Sequence, residues 1–105
     1  MKQLLTSIAK VIRSKNCSPF DLTMDIIIKD KEIYCRLKNA QAVNKKIVAK
    51  AYRIPESNIR SVIYFDPAKA VKITMRRIIS SGAPGDTDVY GAQQHAPLLK
   101  MKVDF

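Results

Sequence analysis

Glycine is scarce in this sequence, and the few glycines it has are concentrated in one place. The 105 residues include only three glycines, Gly82, Gly85 and Gly91, and the single histidine, His95, follows shortly after them. Glycine is used where the backbone needs a positive φ or must approach another group closely. This distribution predicts one elaborate loop over residues 80–97, and loops of that length are usually functional or disordered. A packed connector with turn glycines is the alternative.

Long hydrophobic runs and cysteine-rich patterns are also missing. No run approaches the roughly 18 apolar residues of a membrane span, and Lys10 and Arg13 interrupt the first apolar stretch too early for a secretory signal peptide. The two cysteines, Cys17 and Cys35, have no metal-site spacing to each other or to His95. The sequence therefore predicts a cytoplasmic protein with free thiols, one domain over residues 1–105, and no membrane contact, metal or other cofactor.

Acidic residues are outnumbered, with 9 aspartates and glutamates against 19 lysines and arginines and a net charge of +10. Such an excess predicts an anionic partner: nucleic acid, a phosphorylated or carboxylated ligand, or an acidic protein surface. A solvated basic surface is the alternative. RNA is the least favoured partner, because the basic–glycine–aromatic signature of RNA-recognition strands is absent. Tyr34 and Tyr64 could stack on bases from strands, but positions in the core and at the sheet edge are the favoured interpretation of these aromatic residues.

The hydrophobic pattern predicts an α+β protein. Strands are predicted over residues 22–28, 32–37, 59–65 and 98–103, the first two as a β-hairpin. A helix capped by Asn39 is predicted up to Ala51, and a second from Asp66 and Pro67 to Gly82. Within this second helix a strand is the alternative, since Val71, Ile73 and Met75 also alternate, and residues 4–12 fit a strand or a short helix. Two helices on one face of a mostly antiparallel sheet make a two-layer sandwich, whose open edges favour a homo- or hetero-oligomer.

Two polar segments contain the candidate site residues. The first, predicted as a loop, holds Arg13, Ser14, Lys15 and Asn16, which suit a carboxylate or phosphate although the glycines of a P-loop are missing. A polar turn is the alternative there. In the second, His95 is the candidate proton carrier. Its predicted neighbours are Asp88, or alternatively Asp86, as the orienting carboxylate, and Tyr90, Gln93 and Gln94 as ligand-binding residues. The aspartates could instead make local turn hydrogen bonds, and one histidine does not specify a reaction.

These segments resemble a family of short bacterial and archaeal proteins of unknown function. The resemblance lies in IRSKNCSPFDLTMDI at residues 12–26, DPAKAVK at 66–72 and DTDVYGAQQHAPLL at 86–99. That family is similar to the C-terminal ferredoxin-like domain of the acyclic terpene utilisation protein AtuA. The resemblance implies a ferredoxin-like sandwich and an AtuA-like protein as partner, in the catabolism of branched or unsaturated carboxylic acids or their CoA esters.

The preferred hypothesis from the sequence is an accessory subunit whose two polar segments together complete a site for an anionic small molecule. A basic structural module that docks an acidic protein is the first alternative, and an RNA-binding protein is the second. The sequence does not specify which substrate is bound or whether the isolated chain is an enzyme.

Overall fold

The structure, a computed structural model, describes residues 2–16, 21–76, 98–99 and 101–105. Three helices and six strands occur in this part of the chain. In chain order they are β1 (Lys2–Leu4), α1 (Leu5–Ile8), β2 (Ala9–Asn16), β3 (Asp21–Ile28), α2 (Lys31–Ala40), α3 (Lys45–Tyr52), β4 (Ile59–Phe65), β5 (Ala70–Arg76) and β6 (Lys102–Asp104). Single 3₁₀ turns occupy Glu56–Asn58 and Asp66–Ala68.

Four of the strands form the main sheet, in the order β2-β3-β5-β4, with every pair antiparallel. The remaining two, β1 and β6, form a separate antiparallel ladder. The register places Arg13 beside Asp25, Asp25 beside Lys72 and Lys72 beside Ile63. These four residues therefore form one row across the sheet, and the rows before and after it are fixed in the same way.

The core lies on one side of this sheet, because alternate residues of the two central strands point to the same face. Their inward side chains are almost fully buried: Leu22, Met24, Ile26 and Ile28 on β3, and Val71, Ile73 and Met75 on β5. They belong to one hydrophobic cluster with Tyr34 and Leu37 of α2 and Val48 and Ala49 of α3. The described chain is thus an α+β protein with an antiparallel sheet whose longer helices pack on one face.

Both longer helices begin at a side-chain cap and end without glycine. Asp30 accepts a hydrogen bond from the Glu32 amide, and Asn44 accepts one from the Ile47 amide. At the other ends, Gln41 and Arg53 adopt the left-handed conformation. Together with Lys69 they are the positive-φ residues other than glycine in the described part. The three glycines of the chain lie outside that part, so non-glycine residues carry the energetic cost of this conformation here.

Each edge strand of the main sheet carries a bulge at a basic residue. The register skips Lys10 between Ala9 and Val11 in β2, and Arg60 between Ile59 and Ser61 in β4. Bulges and exposed cations are features that protect an open edge from pairing with another strand. Within the described ranges, pairing of two copies through these edges is therefore disfavoured.

Two predicted strands are confirmed and a third is wrong. Residues 22–28 and 59–65 lie in β3 and β4, whereas residues 32–37 lie in α2. Their apolar alternation is incidental, since Asp30 caps a helix in which Tyr34 and Leu37 lie one turn apart and face the core. No β-hairpin joins this segment to β3.

The helix predicted from Asp66 is also wrong, and the alternative prediction of a strand is confirmed. Asp66 and Pro67 begin only a single 3₁₀ turn, which ends at Lys69, and β5 follows. The helix-start signals are local, whereas β5 forms ladders with β3 and β4 at once. Pairing on both sides outweighs the local preference.

Three smaller corrections concern boundaries. The helix predicted over residues 39–51 is two helices, since Asn39 lies within α2 and Asn44 caps α3. Residues 13–16 are the end of β2 rather than a loop. The last strand is shorter than predicted, and it pairs with β1 instead of joining the main sheet. The loop predicted over residues 80–97 lies outside the described residues.

In the described ranges no helix combines the length and hydropathy that a membrane span needs.

Candidate functional site

The first group of predicted site residues does not converge. Because residues 13–16 belong to a strand, their side chains alternate between the two faces of the sheet. Arg13 and Lys15 are exposed on the face away from the helices, whereas Ser14 is buried on the helical side. For Asn16 the backbone is described as the last residue of β2. These residues are therefore not the donors of one loop.

The second group lies outside the described residues. It consists of Asp88, Tyr90, Gln93, Gln94 and His95. The joint site of both groups, with His95 as proton carrier, stays a prediction.

Arg13 has a partner within the sheet itself. Its Nε lies 3.2 Å from Oδ2 of Asp25 on the neighbouring strand, and the Asp25 side chain is only 9% exposed. The other oxygen of Asp25 has no hydrogen-bond donor among the described residues. A buried carboxylate that loses its partner is destabilising. Arg13, predicted to hold a ligand, therefore compensates a buried charge of this protein.

The face of the main sheet that α2 and α3 leave uncovered is called the open face below. Its first row is apolar and runs across all four strands, from Val11 through Ile27 and Ala70 to Phe65. Ile63 follows Phe65 on the same face of β4. Ile63 is 54% exposed and Phe65 is 43% exposed, so this end of the open face presents large apolar side chains to solvent.

Charged side chains border these apolar residues. Two carboxylates of the open face are engaged within the protein: Asp25 with Arg13, and Asp21 with Arg60 at 2.6 Å. The cations Lys15, Lys72 and Arg76 have no ion pair with a carboxylate of the described part. Lys72 lies over the ring of Phe65, with Nζ 4.9 Å from the centroid. The open face thus has an excess of positive charge.

A second candidate site is a cleft between α2 and the turn that joins β4 to β5. The cavity has a volume of about 670 Å³ and is called the lysine cleft below. Its lining residues are Lys31, Tyr34, Cys35 and Lys38 from α2, and Asp66, Pro67 and Lys69 from the turn. The spacing of the four α2 residues places them on one side of that helix.

Asp66 is the only carboxylate among the described lining residues of the lysine cleft, and it accepts hydrogen bonds from two side chains. The Tyr34 hydroxyl donates to Oδ1 at 2.7 Å, and Lys38 Nζ lies 3.0 Å from both oxygens. The hydrogen bond from Tyr34, followed by that from Lys38, lowers the pKa of Asp66 below its usual range. Burial, and then the neighbouring Asp66, raises the pKa of Tyr34 above its usual range. Asp66 therefore stays ionised, and its charge is compensated.

The lysine cleft was missed in the sequence because its residues come from two segments that were assigned the wrong structure. The spacing of Lys31, Tyr34, Cys35 and Lys38 would have indicated a shared helical face, had residues 31–40 been predicted as a helix. Tyr34 and Tyr64 lie in the core and on an edge strand, which is the interpretation favoured from the sequence, although Tyr34 belongs to a helix. Tyr34 is buried, and its ring packs 6.2 Å from that of half-buried Tyr64, whose hydroxyl donates to the Val43 carbonyl. These two rings do not form an exposed platform for bases.

The described residues were also compared with the requirements of a metal site. Among the described residues no three histidines, cysteines or carboxylates lie close enough together to hold an ion.

The fold and surface described above are those of a small basic α+β protein with helices on one face of an antiparallel sheet. Residues 5–102 match the family described as Domain of unknown function (DUF4387), and the chain belongs to that family. Comparison with curated proteins found no similar protein, and comparison with solved structures found no similar structure.

Proposed function

We propose that this protein is an accessory subunit that docks through its open face onto an acidic surface of a larger protein. The observation that carries the proposal is the combination of exposed apolar side chains and cations without an ion pair on one side of the sheet. Large apolar side chains bordered by polar ones are typical of protein interaction sites.

The apolar part of the interface would be centred on β4. Ile63 and Phe65 are the most exposed large apolar residues of the main sheet, and Val11 is exposed at the far end of the apolar row. Burying such side chains against a partner provides a driving force of roughly 25 cal/mol for each Å² of apolar surface removed from water.

Charge selects the kind of partner. Asp21 and Asp25 already have partners in the sheet, so the charges that remain on the open face are those of Lys15, Lys72 and Arg76. Complementary charge across an interface accelerates association and discriminates against wrong partners. The partner surface should therefore carry aspartates or glutamates around an apolar centre.

The resemblance of the sequence to the C-terminal domain of AtuA supports an AtuA-like protein as this partner. The complex would then act in the cytoplasm on branched or unsaturated carboxylic acids or their CoA esters. The ferredoxin-like relation is part of the same proposal. Two layers and an antiparallel sheet support it. The element order differs from the βαββαβ order of such folds, because two consecutive helices, α2 and α3, lie between β3 and β4.

The test is a binding titration with a co-purified AtuA-like protein. Ile63→Glu should weaken the complex at least tenfold, because it places a charge in the apolar centre and repels an acidic partner. Leu99→Glu is the matched control. Leu99 is likewise an exposed branched aliphatic residue, at 43%, but it does not lie on the main sheet. Equal losses for both variants, or no complex with the wild-type protein, would exclude docking through the open face.

The predicted catalytic group has a separate test in the same complex. If His95 carries the proton, His95→Ala should abolish turnover of the complex while leaving its assembly unchanged. Full activity of that variant would remove His95 from the mechanism, and the docking proposal would be unaffected.

A further inference from the structure

We infer that the lysine cleft binds a phosphorylated small molecule. The cleft shares no residue with the open face, so this inference does not depend on the docking proposal. Four features of the cleft support it, namely its charge, its size, the type of its cations and the conformations that hold them.

The charge of the lysine cleft is positive and is available to a ligand. Lys38 is committed to Asp66, which leaves Lys31 and Lys69 as the cations in excess. Lys31 has no hydrogen bond or ion pair in the described part of the chain. Among the described residues, the ammonium group of Lys69 reaches only the Lys29 carbonyl, at 3.4 Å, which is long for a hydrogen bond. Both ammonium groups are therefore available to a doubly charged anion.

The size of the cavity calls for more than an inorganic ion. Small-molecule sites usually have volumes of about 300–1,000 Å³, and the lysine cleft, at about 670 Å³, lies within that range. Pro67 and Cys35 supply less polar surface between the cations. An anionic group held by Lys31 and Lys69 would thus leave room for an organic part against Pro67 and Cys35.

The type of cation favours phosphate over carboxylate. Among the described residues that line the cleft there are three lysines and no arginine. Arginine offers a planar fork that matches a carboxylate with two parallel hydrogen bonds, whereas lysine binds phosphate as a point charge. Several ammonium groups around one group of higher charge fit a phosphate monoester better than a single carboxylate.

The backbone fixes the positions of both cations. Lys31 is the first residue of α2, and Lys69 ends the turn in the left-handed conformation, with φ of 52°. Its carbonyl accepts a hydrogen bond from the Ile28 amide at 2.9 Å, which fixes the turn against β3.

The experiment is an NMR titration of the ¹⁵N-labelled full chain at constant ionic strength, with AMP, inorganic phosphate and acetate as probes. With AMP, the amide resonances of the lysine cleft should shift saturably, and AMP should bind more tightly than inorganic phosphate because of its organic part. Acetate should bind at least tenfold more weakly than inorganic phosphate.

Two double variants separate the lysine cleft from general charge. Lys31→Gln with Lys69→Gln should weaken AMP binding at least tenfold. The control is Lys45→Gln with Arg53→Gln, because Lys45 is likewise the first residue of a helix and Arg53 is likewise left-handed. It should remain within twofold of the wild-type protein.

Three results would overturn the inference. They are the absence of saturable binding by AMP, an equal loss in the control variant, and binding of acetate as tight as that of inorganic phosphate. None of these results bears on the open face, which is tested with different variants and a protein partner.

Discussion

The Tyr34 hydroxyl donates a 2.7 Å hydrogen bond to Asp66 and thereby joins α2 to the turn between β4 and β5. Lys38, one turn further along α2, contacts the same carboxylate. The two donors come from a helix, and the acceptor comes from a segment about thirty residues later in the chain. This arrangement fixes one wall of the lysine cleft to the other, and it makes the ionisation of Asp66 part of the stability of the fold.

Tyr34→Phe should raise the pKa of Asp66 towards its usual value, since it removes the largest cause of the lowered pKa. A lowered native pKa contributes stability above about pH 4, the usual value for this group, and the contribution is lost as the pH falls through the native pKa. The stability difference between the wild-type protein and Tyr34→Phe should therefore be larger at pH 7 than at pH 3. Urea unfolding at both pH values, with a carboxyl NMR titration of Asp66, measures both effects.

The control for that prediction is Tyr64→Phe. The Tyr64 hydroxyl accepts from the Val43 amide and donates to the Val43 carbonyl, and burial raises the pKa of Tyr64. Its removal should change stability by the same amount at pH 3 and pH 7. If Tyr34→Phe behaved in this way too, the coupling between Tyr34 and Asp66 would be refuted.

Lys69→Gly should stabilise the fold by roughly 0.5–1 kcal/mol. Glycine has no Cβ clash in the left-handed conformation, and this gain exceeds the entropy that glycine loses on folding. Arg53→Gly should stabilise to a similar degree, since Arg53 is also left-handed, with φ of 56°. Thermal unfolding with calorimetry measures both. A stabilised Lys69→Gly that no longer bound AMP would show that Lys69 is kept for its charge, whereas a clear loss of stability would contradict the strain argument.

Arg13→Ala should lower the free energy of unfolding by about 1–3 kcal/mol, because it leaves the carboxylate of Asp25 buried without its cation. The exposure of Arg13, at 62%, keeps the expected value below that of a fully buried pair. Adding Asp25→Val should recover most of the loss, since a β-branched apolar residue suits the centre of a sheet. Chemical denaturation of Arg13→Ala, Asp25→Val and the double variant measures this, and an additive loss in the double variant would contradict the role assigned to Arg13.

The comparison of sequence and structure is clearest in the strands. Residues 22–28 and 59–65 are rich in β-branched side chains and were predicted close to their observed limits. Residues 70–76 alternate in the same manner, but Asp66 and Pro67 before them are a strong helix start, so the local signals conflict. Residues 32–37 show the reverse case, in which a short alternation occurs by chance within a capped amphipathic helix.

For the candidate sites too, single residues could be identified from the sequence, whereas their partners could not. The sequence identified Arg13 as a residue of interest, but its partner Asp25 becomes visible only when β2 and β3 are placed in register. The lysine cleft could not be predicted, since no local pattern relates residues 31–38 to residues 66–69.

The sequence by itself determined the basic charge, the α+β class and the two strands with the strongest β-branched pattern, because these depend on composition and on neighbouring residues. Only the tertiary structure decided that residues 70–76 are a central strand, since hydrogen-bonded ladders on both sides outweigh a local helix start. It also decided that Lys31, Lys38 and Lys69 line one cleft together with Asp66. This arrangement requires α2 to pack against the turn between β4 and β5, which is distant in sequence. That packing depends on the whole hydrophobic core.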